Sequence, residues 1–102
     1  MRLIVFFDLP IDTAPQRRAY SRFRRWLIKN GYLMMQESVY SKLAVDGRMV
    51  DSLLIRLAEN RPPEGLVQAL QVTEKQYASI TDIVGETGET EELQSLDSLV
   101  VI

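Results

Sequence analysis

The stretch from Arg2 to Pro10, RLIVFFDLP, constrains this chain more than any other. Ile4, Val5, Phe6 and Phe7 are β-branched or aromatic, the types that suit a pleated strand. Side chains alternate along a strand, so Leu3, Val5 and Phe7 point one way and Ile4 and Phe6 the other. Both sets are apolar. A strand of that kind belongs in the middle of a sheet covered on both faces. Pro10 has no N–H to give to a ladder, so pairing ends there. Asp8 then stands at the end of a buried strand, where a carboxylate serves either chemistry or the turn at Leu9 and Pro10.

The rest of the composition narrows the chemistry. The chain has 102 residues, enough for one domain. It holds no histidine and no cysteine, which excludes a disulfide, a thiolate nucleophile, a zinc site of the usual kind and histidine-based acid–base catalysis within one chain. No apolar run approaches the roughly 18 residues of a membrane span. The expectation is a soluble, cytoplasmic protein with no membrane partner. The net charge of −2 conceals an uneven distribution: residues 1–61 carry 11 Lys and Arg against 6 Asp and Glu, and residues 62–102 carry 1 against 8. Such a split points to a polyanion partner for the basic half, or to the acidic part neutralising the basic part of the same molecule or a twin.

Further along, Thr13 and Gln16 have the spacing of a capping box, and Pro15 falls in a first turn where its missing N–H does no harm. Asn30 and Gly31 form a C-terminal stop, so the pattern predicts a helix over 14–30. Ala19, Tyr20, Phe23, Trp26 and Leu27 share one side of it, while Arg17, Arg18, Arg22, Arg24, Arg25 and Lys29 share the other. Ile28 sits among the charges. Residues 32–35 and 38–43 read as two strands of a hairpin, one long bent strand being the alternative. A second helix is expected over 47–60, ended by Pro62 and Pro63. Residues 66–73 read as a fourth strand and 76–83 as a fifth. The acidic, glycine-punctuated remainder reads as an irregular arm whose ending, SLVVI, has the character of an edge strand.

The order strand, helix, strand, strand, helix, strand is that of an α+β, ferredoxin-like βαββαβ sandwich, here with an additional C-terminal strand. The domain occupies residues 1–83 and the acidic arm residues 84–102. Two helices cover only one face of such a sheet, yet the first strand is apolar on both. A second copy of the chain is the simplest cover, which predicts a homodimer packed sheet to sheet.

Two groups of residues carry candidate chemistry. Asp8 is the candidate catalytic and metal-binding residue. Magnesium needs only one or two carboxylates with several waters, and two Asp8 side chains near a dimer axis would share one Mg2+. A metal there lowers the pKa of a coordinated water and stabilises charge on a phosphodiester. Arg17, Arg18, Arg22, Arg24, Arg25 and Lys29 are the candidate nucleic-acid-binding set, because the guanidinium fork suits phosphate and a rigid basic helix suits a duplex backbone. The alternative is a solvated helix face. Tyr20, Phe23 and Trp26 offer a stacking platform for bases, but their helical spacing favours core packing. Ser38 and Tyr40 place hydroxyls near the bend, with no base to activate them. GETGET lacks the lysine and the strand-to-helix setting of a phosphate loop.

A first strand ending in FFDLP, a helix carrying YSRFRRWL and then NGYLMMQESVY resembles the Cas-two family of CRISPR adaptation proteins, in the form found in type II systems. The likeness covers about residues 1–83. It implies a ferredoxin-like homodimer that joins the Cas-one integrase and holds double-stranded DNA during spacer acquisition. It also implies a magnesium-dependent endonuclease acting on RNA or duplex DNA, whose metal-binding aspartate maps onto Asp8. Two rival expectations stand beside the enzyme. One is a non-catalytic DNA-binding scaffold of the integration complex, with Asp8 a turn residue. The other is a small regulatory domain that binds a metabolite at its dimer interface.

Overall fold

A computed structural model of the chain describes residues 1–85. The elements run β1 (Arg2–Asp8), α1 (Ala14–Lys29), β2 (Leu33–Gln36), β3 (Val39–Leu43), α2 (Gly47–Glu59), β4 (Leu66–Val72) and α3 (Glu74–Ala78). They form one antiparallel four-stranded sheet in the order β2-β3-β1-β4. The apolar first strand therefore lies inside the sheet, as its composition demands, with β3 on one side and β4 on the other. The two runs over 32–43 form a hairpin, with an irregularity between Met34 and Gln36 where the register shifts.

The capping signals act where the sequence pattern places them. The Gln16 N–H donates to Thr13 Oγ1 at 3.3 Å and the Thr13 N–H to Gln16 Oε1 at 2.9 Å, fixing the start of α1. Gly31 follows the helix with φ +86°, a conformation that costs an L residue with a Cβ. Asp46 caps α2 by accepting from the Met49 N–H at 2.9 Å.

Alternation along β1 divides the molecule. Leu3, Val5 and Phe7 are buried beneath the helices with Phe23, Leu27, Tyr40, Val50, Leu53 and Leu57. Phe7 is the aromatic centre, 5.2 Å from Phe23, 5.9 Å from Tyr40 and 6.0 Å from Tyr20 between ring centroids. The α1 aromatics are thus core and edge-of-core residues, not a base-stacking platform. The opposite face carries Arg2, Ile4, Phe6 and Asp8 of β1, opposed by Leu43, Ser41 and Val39 of β3 and by Val72, Leu70, Gln68 and Leu66 of β4. Phe6 retains 36% of its surface there, Leu70 54% and Leu66 57%.

The expected fifth strand over 76–83 is not formed. Residues Glu74–Ala78 are a short helix, α3, started by a second capping box in which the Gln76 N–H donates to Thr73 Oγ1 at 3.0 Å. This segment turns back over one end of the open face. Arg2 Nε donates to Glu74 Oε2 at 3.0 Å, the Arg2 guanidinium lies 4.4 Å from the Tyr77 ring centre, and Tyr77 Oη is 3.4 Å from Ser41 Oγ. Ser41, fully buried, is polar and needs that partner. The acidic arm and the SLVVI strand lie outside the described residues, apart from the arm's start at Val84 and Gly85.

Candidate functional site

Asp8 is the last residue of β1, paired with Leu66 of β4. Its side chain is exposed, on the same face as Ile4 and Phe6, opposite the one that packs beneath α1 and α2. The turn that follows is tied down by a different residue: Arg17 Nη1 donates to the carbonyls of Ile11 at 3.1 Å and Asp12 at 3.3 Å. The backbone around Asp8 is closely held. The Phe7 N–H donates to the Ser38 carbonyl at 3.1 Å. On the other side, Gly65 sits so near that a Cβ on it would lie 2.6 Å from the Asp8 carbonyl oxygen. Its φ of +93° is a second reason for glycine there. A shallow hollow at this corner is lined by Phe6, Phe7, Asp8, Ser38, Val39, Leu66 and Gln68. Its polar groups are a carboxylate, a hydroxyl and an amide, hard oxygen donors of the sort magnesium takes. Among the described residues no group of three or more Asp, Glu, His or Cys side chains converges. Asp8 is the one carboxylate among the residues lining the hollow.

The six cations of α1 separate into two sets. Arg18, Arg22, Arg25 and Lys29 recur at intervals of four, three and four residues and fall within an arc of about 60° on a 3.6-residue helix. They form a stripe about 17 Å long at 1.5 Å per residue. A shallow groove there is lined by Arg17, Arg18, Ser21, Arg22 and Arg25. Arg17 and Arg24 stand about 100° round the helix. Arg17 holds the preceding turn, and Arg24 Nε donates to Tyr40 Oη at 3.0 Å, giving the hydroxyl of a buried tyrosine its partner. Among the described residues the only ion pair is Arg2–Glu74, so no carboxylate there neutralises the stripe. Tyr40 is thus a core residue, and Ser38 alone of the two hydroxyls lies near Asp8.

Sequence reasoning missed two features. The Thr73–Gln76 capping box carries the same signal as Thr13–Gln16 and would have revealed α3. Tyr32 is 3% exposed, and among the described residues its buried hydroxyl has no hydrogen-bond partner. Burial pushes that phenol up to about 12, against the opposing charge of Arg56. No local pattern announces either burial or isolation of that group.

The sequence over residues 1–80 matches the family model for the CRISPR associated protein Cas2. The chain belongs to the Cas2 family. It is 52% identical over 102 residues to the CRISPR-associated endoribonuclease Cas2 of Treponema denticola, covering the whole of both chains. It is 44% identical over 102 residues to the protein of that name from Lacticaseibacillus rhamnosus, again over all of both. The protein of that name from Streptococcus mutans serotype c is 45% identical over 86 residues, 84% of this chain and 79% of the relative. The crystal structure of Streptococcus pyogenes Cas2 at pH 6.5 superposes with a TM-score of 0.62 at 15% identity, covering 83% of this chain and all of that one. That likeness supports the ferredoxin-like arrangement of this Cas2 family member. Among the described residues no helix is long and apolar enough to cross a membrane.

Proposed function

We propose that this Cas2 family member is a homodimeric, metal-dependent nuclease that binds duplex nucleic acid and joins the Cas-one integrase in CRISPR adaptation. The observation that carries the nuclease reading is the placement of Asp8: exposed, paired to Leu66 at the end of β1, and on the sheet face that exposes Phe6, Leu66 and Leu70. A second copy packed on that face covers Phe6, Leu66 and Leu70 and brings a second Asp8 toward the first. The two carboxylates, with Ser38 and Gln68 beside them, then provide the charge and oxygen donors for one Mg2+. Bound there, the metal supplies Lewis-acid stabilisation of a phosphodiester and a water of lowered pKa.

The chain's own residues bind and orient. Asp8 provides the negative charge that selects a cation. The Ser38 hydroxyl and the Gln68 amide can hydrogen-bond a phosphate oxygen or an ordered water at the same corner. The Phe7–Ser38 backbone bond and the pairing of Asp8 with Leu66 hold Asp8 in place. The arginine stripe on α1 binds backbone phosphates without reading bases, which accommodates RNA and DNA alike. The endoribonuclease name of the relatives favours an RNA substrate for the cleavage step. Family membership supports the integrase partnership.

The deciding experiment compares wild type with Asp8→Asn on RNA and duplex DNA, with and without magnesium, measuring binding in the same samples. Cleavage that needs both metal and Asp8, with binding retained in the variant, is expected. Binding without cleavage by either protein would instead establish the non-catalytic scaffold, which the same arginine stripe serves equally well, and equal cleavage by both would overturn the assignment of Asp8.

A further inference from the structure

A second group of cations gathers where α1 ends. Lys29 is the last residue of the helix. Arg56, from α2, donates through Nη2 to Asn30 Oδ1 at 2.7 Å. Lys42, from β3, reaches across Gly31, its Nζ 2.7 Å from where a Cβ on that glycine would lie and 5.9 Å from the Tyr32 ring centre. Two elements therefore bring the Lys42 and Arg56 charges to the Asn30–Gly31–Tyr32 corner, and the residue before it in the chain, Lys29, adds a third. Such convergence costs free energy unless a counter-charge is supplied. The carboxyl ends of α1 and α2, with Lys29 and Arg56 in their last turns, each supply about half of one negative charge. Among the described residues no carboxylate makes an ion pair with any of the three. About two of the three positive charges therefore face solvent, where an anionic ligand can reach them.

The corner also continues the α1 stripe, since Lys29 belongs to both. The Asn30 bond engages one Arg56 N–H, and among the described residues the other guanidinium N–H groups make no side-chain hydrogen bond, which leaves the fork that suits phosphate. We propose that Lys29, Lys42 and Arg56 form a second phosphate site that receives the nucleic-acid backbone as it leaves the stripe on α1. This inference rests on the nucleic-acid-binding reading above and extends it to β3 and α2. The backbone would then cross both helices rather than lie along one.

The test is the salt dependence of binding to a fluorescent 30-base-pair DNA duplex, followed by anisotropy. For duplex DNA the slope of log affinity against log salt changes by about 0.9 for each phosphate that the protein no longer neutralises. Combining Lys42→Gln with Arg56→Gln is expected to make that slope shallower by about 1.8. Arg56→Lys, which keeps the charge but not the fork, should restore most of the slope with weaker affinity. Arg22→Gln, in the stripe, is the internal reference and should lower the slope by about 0.9 by itself. A normal slope in the double variant, with the expected change in Arg22→Gln, overturns this second site alone. In that case a lowered melting temperature would show that the cations serve only the end of α1. Absence of duplex binding by wild type overturns the underlying reading as well.

Discussion

Three glycines in contrasting surroundings give a graded test of how tightly the Asp8 corner is built. Gly65 has φ +93°, where an L residue costs about 1–2 kcal/mol relative to glycine. Its substituent would also meet the Asp8 carbonyl oxygen at 2.6 Å and Leu9 at 2.7 Å and 3.1 Å. The carbonyl and Leu9 Cα belong to the backbone and cannot swing aside, so an overpacking penalty of about 1–3 kcal/mol is added. We expect Gly65→Ala to lose about 3 kcal/mol in all, a fall of roughly 12–24 °C in melting temperature for a domain of this size. Gly31 has φ +86°, but its substituent would meet only the mobile tip of Lys42, so Gly31→Ala should lose about 1 kcal/mol. Gly47 opens α2 with nothing within 4 Å of the added atom, and Gly47→Ala should be neutral or gain up to about 1 kcal/mol. Thermal and urea unfolding at equal protein concentration measure all three. A Gly65→Ala protein as stable as Gly31→Ala would refute the close approach to Asp8. Because the clash falls on the Asp8 carbonyl, Gly65→Ala should also lose cleavage more than binding at temperatures where it is folded.

Other expectations concern single groups. Arg24→Ala strands the Tyr40 hydroxyl in a buried site and should cost about 1–3 kcal/mol of stability in urea unfolding; a loss confined to DNA affinity would contradict the structural role of Arg24. Tyr32 is neutral in the folded chain up to about 12, whereas its ordinary value is 10.0, so its ionisation favours the unfolded chain. Stability should therefore fall as pH rises from about 10 to about 12. Tyr32→Phe should flatten that fall and be no less stable at pH 7, since it removes a buried hydroxyl that has no partner among the described residues; an unchanged alkaline unfolding curve would refute the assignment. Leu70→Asp places a charge in the exposed apolar face and should yield a monomer in analytical ultracentrifugation, with cleavage lost and the melting temperature of the monomer little changed. A dimer that survives this substitution would place the interface elsewhere.

The sequence by itself determined the elements whose causes are local. Period-two alternation in RLIVFFDLP, the 3.6-residue spacing of Tyr20, Phe23 and Leu27, and the capping at Thr13, Gln16 and Gly31 each act over a few residues. The helices, the hairpin and the sandwich order are legible for that reason. The same local rule is written at Thr73 and Gln76, but the strand-like Ile80 and Ile83 that follow suggest a strand where the chain forms α3. Tertiary structure decided the rest. That Asp8 is exposed on the open face follows from the pairing of β1 with β3 and β4. That Arg24 is held by Tyr40 while Arg18, Arg22, Arg25 and Lys29 form the outer stripe depends on which side of α1 the sheet approaches. The meeting of Lys42 and Arg56 at the end of α1 joins residues far apart in the chain, and no local pattern encodes it. Short-range sterics and hydrogen bonding fix an element from its own residues, but the environment of a charge is set by whatever the fold brings beside it.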